Sequence, residues 1–191
     1  YVASLRQFDA ARCRKAISGG TMVFLGGGNF GSLYRKHHER RLGILEEFAA
    51  ERIVLLPLSV ADDSTTRANN QVVERTREVL QRCKQLTVLS RELNTQSLLA
   101  KRYGIETTLC PDTAHGCQPV PVSPTHERML LLRKDDEAAT RSRLQPEAGD
   151  NQLDWPDNPT LVYINRLGKA AGLLPPGPFR LKAYDMVALK K

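Results

Sequence analysis

The chain has 191 residues, with 28 Lys and Arg against 21 Asp and Glu, so its formal charge is +7 with the 4 His neutral. At 41% hydrophobic and 26% charged it has the composition of an ordinary globular chain, which excludes disordered, collagenous and disulfide-framed classes. The longest apolar stretches, such as residues 53–58, fall far short of the roughly 18 to 20 residues a membrane helix requires. Cys13, Cys83, Cys110 and Cys117 are irregularly spaced, which predicts free thiols and a reducing compartment. The positive excess implies an anionic partner. Nucleic acid is disfavoured, because the basic residues are not interleaved with aromatics and no zinc-finger, homeodomain or RRM signature occurs.

In chain order, residues 9–20 predict a helix that Asp9 caps and Gly19-Gly20 ends. Residues 21–25 are a short apolar strand running directly into Gly26-Gly27-Gly28-Asn29-Phe30-Gly31. Residues 32–50 place Tyr34, His38, Leu42, Leu45 and Ala49 on one helical face, leaving Arg35, Lys36, Arg40 and Arg41 mostly elsewhere. A second strand over 52–56 is continuously apolar, as in a parallel strand covered on both faces, and Pro57 is expected to end it. A polar loop over 62–66 then leads to a helix over 68–83, with Val72, Val73, Thr76, Val79, Leu80 and Cys83 on one face. A strand at 86–89, a helix at 93–103 stopped by Gly104, and a strand at 105–109 complete the series. This alternation predicts an α/β fold, a Rossmann-like doubly wound parallel sheet over residues 1–118. Pro119, Pro121 and Pro124 mark a linker over 119–127. Residues 128–191 begin a second unit: a strand at 129–133, a charged loop at 134–149, a helix within 156–172 and a tail.

In an open parallel sheet the carboxyl ends of the strands hold the ligand. Gly26, Gly27, Gly28, Asn29, Phe30 and Gly31 satisfy G-x-G-x-x-G between strand and helix, so backbone N–H groups there could hold a phosphate or carboxylate, and Asn29 could bond a substrate oxygen. The same residues fit a tight turn without a ligand. No acidic residue closes the second strand as ribose recognition requires, and no Lys-Ser/Thr follows as in a Walker loop. Ser90-Arg91-Glu92 sets an arginine where a strand ends, suited either to a bidentate grip on an anion or to an ion pair with Asp112 or Glu92. Ser97 follows on the next helix, as a binding group or as polar surface. Asp112 and His115, between Cys110 and Cys117, are candidates for orienting or acid–base roles, with a capping Asp as the simpler alternative. Zinc is disfavoured, because no second ligand pair stands nearby. The run 35–41 is expected to be a solvated helix face that could also attract an anionic acceptor or lipid surface.

Residues 23–34, then Ile53-Val54-Leu55-Leu56-Pro57-Leu58-Ser59, Ser90-Arg91-Glu92 with Ser97, and Cys110-Pro111-Asp112-Thr113-Ala114, taken in that order, resemble the polysaccharide pyruvyltransferase family over roughly residues 8–157. Exopolysaccharide and xanthan-type ketal pyruvate transferases look most similar. Arg133 with Asp136-Glu137, and Asp154-Trp155, also resemble the family's later segment.

The resemblance implies a bacterial transferase with one half of a GT-B-like architecture, moving the pyruvyl group of phosphoenolpyruvate to hydroxyls of a polysaccharide or its lipid-linked precursor. It implies no cofactor beyond the donor substrate, a cytoplasmic location and peripheral association with the inner membrane; no ligand cluster in the sequence demands a metal, and metal dependence is left open. Arg91 and the 26–31 segment suit the donor's anionic groups, and His115 or Asp112 the proton transfer. The family's earlier Asn-and-Gly-Asp motif and its Arg-Leu-His motif do not occur; Arg166-Leu167 is followed by Gly168. The chain therefore reads as a fragment that keeps most of one half. Two competing readings are a nucleotide-dependent Rossmann or GT-B enzyme, either glycosyltransferase or NAD-dependent dehydrogenase, and a truncated, non-catalytic polysaccharide-binding module.

Overall fold

The computed structural model describes residues 3–5, 7–60, 66–118, 121, 123, 128–131, 151–153, 167, 170 and 183. Most of the expected 62–66 loop, the 134–149 loop, Arg133, Asp136, Glu137, Asp154 and Trp155, and nearly all of the 156–172 helix and the tail lie outside the described residues.

The first helix, α1, is Ala10–Ile17, and the Asp9 carboxylate accepts from the Arg12 N–H at 2.8 Å as a cap should. Strand β1 (Thr21–Phe24) is followed by β2 (Gly27–Phe30), so most of the glycine-rich segment is strand and not the expected turn. Helix α2 (Arg35–Glu47), β3 (Arg52–Val60), α3 (Arg67–Arg82), β4 (Gln85–Ser90), α4 (Leu93–Leu98) with a π-helical turn over Leu99–Tyr103, and β5 (Thr108–Leu109) follow. Strands β1 to β5 pair in parallel throughout, with β1 and β2 on one edge of β3, β4 on its other edge and β5 beyond it.

The hydroxyl of Thr66 caps α3 by accepting from the Asn69 N–H, and the apolar stripe Val72, Val73, Thr76, Val79 and Leu80 is buried as the 3.6-residue period requires. A fully buried Leu or Val such as Leu45 or Val79 contributes about 1.5 to 3 kcal/mol. Gly104, at φ +65°, ends the π turn, and Ile105 donates its N–H back to the Leu99 carbonyl. That closure uses residues expected in the next strand, which is why β5 is only two residues long.

Two expectations are corrected by β3. It runs through Pro57, because the ladder is already interrupted there on both sides. β1 stops at Phe24 opposite Leu55, β2 resumes at Gly27 opposite Leu58, and the register with β4 shifts between Leu55 and Leu58. A residue without an N–H fits at such a break. Nor is β3 covered on both faces. Register places Met22, Phe24, Ile53, Leu55 and Val88 together on the buried face, whereas Val23 is 55% exposed and Val54, Leu56 and Leu89 only half-buried on the other. Each crossover steps one strand in the same direction, and right-handed connections then bring α2, α3 and α4 to one face. The described sheet is wound on one side.

The chain divides into two compact units, residues 1–119 and 120–191. In the second, β6 (Met129–Leu131) pairs in parallel with β7 (Asn151–Leu153).

Candidate active site

The carboxyl ends of β2, β3, β4 and β5 lie along one edge of the sheet and supply Asn29, Ser59, Arg91 and Asp112. Neighbouring strands are about 4.8 Å apart, so these side chains share one narrow strip. Arg91 follows β4 directly, its N–H bonded to the Leu58 carbonyl at 3.2 Å. Its Nε donates to the Ser59 hydroxyl and its Nη1 to Asp112 Oδ2 at 2.7 Å. The Thr95 hydroxyl donates to Glu92 Oε1 at 2.7 Å, and the Ser59 hydroxyl is a second donor to that carboxylate. Thr95 is fully buried and also accepts from the Val60 N–H at 3.1 Å. The arginine is thus held on two sides, and among the described residues nothing occupies Nη2.

Asp112 meets both of its simpler descriptions. Oδ1 caps the 3₁₀ turn Thr113–Gly116 by accepting from the Ala114 N–H at 3.0 Å, and Oδ2 pairs with Arg91. The Ala114 N–H, followed by the Arg91 guanidinium, holds its carboxyl below the usual aspartate range. Asp112 is therefore a carboxylate at neutral pH, suited to orienting Arg91 and not to giving up a proton. Thr95 and Ser59 likewise lower Glu92. His115 stands exposed on the same turn. Cys110 is half-buried and Cys117 exposed, while Cys13 and Cys83 are buried thiols pushed up by desolvation. Among the described residues no three His, Cys, Asp or Glu converge as a metal site would need.

The glycine-rich segment has mostly internal reasons for its composition. A Cβ on Gly26 would collide with the Pro57 carbonyl oxygen, and Gly27 and Gly31 both sit at φ +97°. Gly28 is half-buried in β2. Phe30 is 1% exposed, edge-on to His38 at 4.6 Å and near Tyr103 at 6.0 Å.

Two residues of the basic run are not solvated: His38 is 0% exposed and Arg41 4%, whereas Arg35, Lys36 and Arg40 are exposed. Thr76 gives its only proton to the Val72 carbonyl at 2.6 Å, so the 2.7 Å contact must be donated by His38 Nε2, and Nδ1 then accepts from the Gly31 N–H at 3.2 Å. This histidine is neutral, its pKa pushed down to about 3 by burial and then by the neighbouring charge of Arg41. Arg41 reaches Asn29, donating to its carbonyl at 3.2 Å and to its side-chain oxygen. Burial pushes Arg41 itself down to about 10.

The structure therefore brings Asn29, Arg91 and Asp112 to one edge, with His115 on the adjoining turn. Ser90 is fully buried with its hydroxyl taken by Thr107 at 3.1 Å, and Ser97 is half-buried on α4, outside this network. Arg41, Ser59 and Thr95 belong to it and were not among the expected site residues. The signal for Arg41 was its i+3 spacing from His38 on the buried face of α2.

The family model described as polysaccharide pyruvyl transferase matches residues 4–166. A Bacillus subtilis (strain 168) protein named "Putative pyruvyl transferase EpsO" is 30% identical over 166 residues, covering 79% of this chain and 48% of that protein. General stress protein 30 of the same strain is 27% identical over 120 residues, covering 62% of this chain and 35% of its own length. The chain thus spans about half, or less, of the curated relatives it matches.

Proposed function

We propose, from the premise that this chain belongs to the polysaccharide pyruvyl transferase family, that the carboxyl-edge strip grips the anionic groups of phosphoenolpyruvate. The observation that carries this reading is Arg91, fixed by Ser59 and Asp112 and with Nη2 left to offer among the described residues. A guanidinium restrained in this way loses little entropy on meeting a carboxylate or phosphate.

In the reaction, C2 of the donor gains bonds to two sugar oxygens, C3 takes up one hydroxyl proton to become a methyl group, and the C–O bond to phosphate breaks. The second hydroxyl proton leaves with the phosphate, and a cyclic ketal remains on a polysaccharide or its lipid-linked precursor. Asp112 orients Arg91, and His115 is assigned as the proton donor to C3. A second half that faces this strip across a GT-B-like cleft is part of the same proposal. Exposed Lys36 and Arg40 would favour an anionic acceptor, including one carried at the cytoplasmic face of the inner membrane. No helix among the described residues is long and apolar enough to cross a membrane.

Because the relatives are longer, binding is the property to test. Calorimetric titration of phosphoenolpyruvate at low salt, beside NAD and a nucleotide-sugar panel, is expected to show selective uptake of phosphoenolpyruvate. Uptake of a nucleotide in its place would reject the proposal in favour of a nucleotide-dependent enzyme, and silence from every ligand would reject a competent donor site.

A further inference from the structure

Arg41 is 4% exposed, yet no carboxylate lies within ion-pair reach of it among the described residues. Buried charges are normally paired, because taking one out of water is costly. What this guanidinium holds is a single neighbour. Nη1 donates to the main-chain carbonyl of Asn29 and Nη2 to its side-chain oxygen, while Cζ stands 5.6 Å from the centre of the Phe30 ring. A guanidinium has donors only, so the oxygen of the Asn29 carboxamide must face it and the amide nitrogen must face away. Asn29 is half-buried near the end of β2, one strand from Ser59, and no described residue accepts from that nitrogen. The next residue but one is held as well, since the Gly31 N–H is fixed on His38.

We propose that Arg41 is a positioning residue whose clamp turns the Asn29 carboxamide so that its N–H₂ group donates to an oxygen of the bound anionic substrate. The identity of that substrate rests on the transferase reading; the clamp does not. A neutral donor of fixed direction on β2, two strands and so about 10 Å from the charged Arg91, would set the orientation of an anionic substrate that Arg91 attracts.

Two variants of the whole chain test it. Asn29→Asp supplies the missing counter-ion to Arg41 but has no N–H to offer. Arg41→Lys keeps the charge but, as a point donor, cannot hold both Asn29 oxygens in the fork geometry. Each is titrated calorimetrically at 0.15 M salt with phosphoenolpyruvate, inorganic phosphate and uridine diphosphate glucose, and unfolded in urea. The expected result is an Asn29→Asp midpoint at or above that of the parent chain with phosphoenolpyruvate affinity down at least about tenfold, and a several-fold loss for Arg41→Lys. Because the carboxylate of Asn29→Asp also repels an anion through space, the charge-conserving Arg41→Lys decides: a several-fold loss of affinity there, with every charge kept, is something repulsion would not produce.

Affinities within twofold of the parent in both variants would overturn the inference, as would losses of binding and stability together in both. If the parent chain ignores phosphoenolpyruvate but takes phosphate or the nucleotide sugar, the transferase reading fails, and the same comparison with that ligand judges the clamp. If it takes none of the three, the inference falls too.

Discussion

The buried histidine gives the fold an acid limit that can be worked out. His38 Nδ1 accepts from the Gly31 N–H, so a proton on Nδ1 would set two donors face to face in a site with 0% exposure, beside the cation of Arg41. Its pKa in the folded chain is pushed down to about 3 from an ordinary 6.5. The unfolded chain therefore binds a proton below pH 6.5 that the folded chain refuses, and stability present above that value is lost as pH falls. Each pH unit below 6.5 removes about 1.4 kcal/mol, so moving from pH 7.5 to 5.0 costs about 2 kcal/mol through this residue alone. The loss approaches about 5 kcal/mol near pH 3.

Other groups titrate over the same interval, so the comparison is with His38→Gln. That variant is expected to be less stable than the parent at pH 7.5 by about 1 to 3 kcal/mol, through the abandoned Gly31 N–H. It should also lose about 2 kcal/mol less than the parent on going to pH 5.0, in urea unfolding followed by circular dichroism. An equal loss in both proteins would refute the neutral, Nδ1-accepting assignment.

Further substitutions probe the other features. Arg91→Ala should weaken phosphoenolpyruvate binding by about 2 to 4 kcal/mol in calorimetry; unchanged affinity would reduce Arg91 to a structural partner of Asp112. Gly26→Ala should cost about 1 to 3 kcal/mol or prevent folding, because its methyl group meets the Pro57 carbonyl, and a urea midpoint equal to that of the parent would mean the strand break can open. Thr76→Val, nearly isosteric, should destabilise by about 1 to 3 kcal/mol by stranding His38 Nε2–H. Since the Arg91–Asp112 pair depends on an ionised carboxylate whose pKa is lowered, its contribution should persist down to the ordinary aspartate range and fade as pH falls below it. Donor affinity measured from pH 7 to pH 4 should follow the same course, and a fall already complete near pH 6 would refute the ionised Asp112 as the partner that holds Arg91.

Local pattern was enough for much of this protein. Asp9 as a cap, the stripe from Val72 to Cys83, the strand at Gln85–Ser90 and the stop at Gly104 each depend on residues within a few positions of one another, and each formed as its spacing predicts. The motif order around Gly26, Ser59, Arg91 and Asp112 was sufficient to point to the family. The remaining features were set by partners distant in sequence. Pro57 stays within a strand because β1, β2 and β4 all break beside it, and Gly26 is needed because Pro57 presses on it.

Counting strands and helices could not reveal that every crossover steps the same way and leaves Val23 bare. Nor could a run of basic residues show which would be exposed. Arg41 is buried because α2 lies with that side against β2, where Asn29 answers its donors across twelve residues of chain. Hydrophobic periodicity decides which face of a helix turns inward, but whether a charge on that face is tolerated depends on what the packed neighbour offers it. Only the assembled sheet edge determines that.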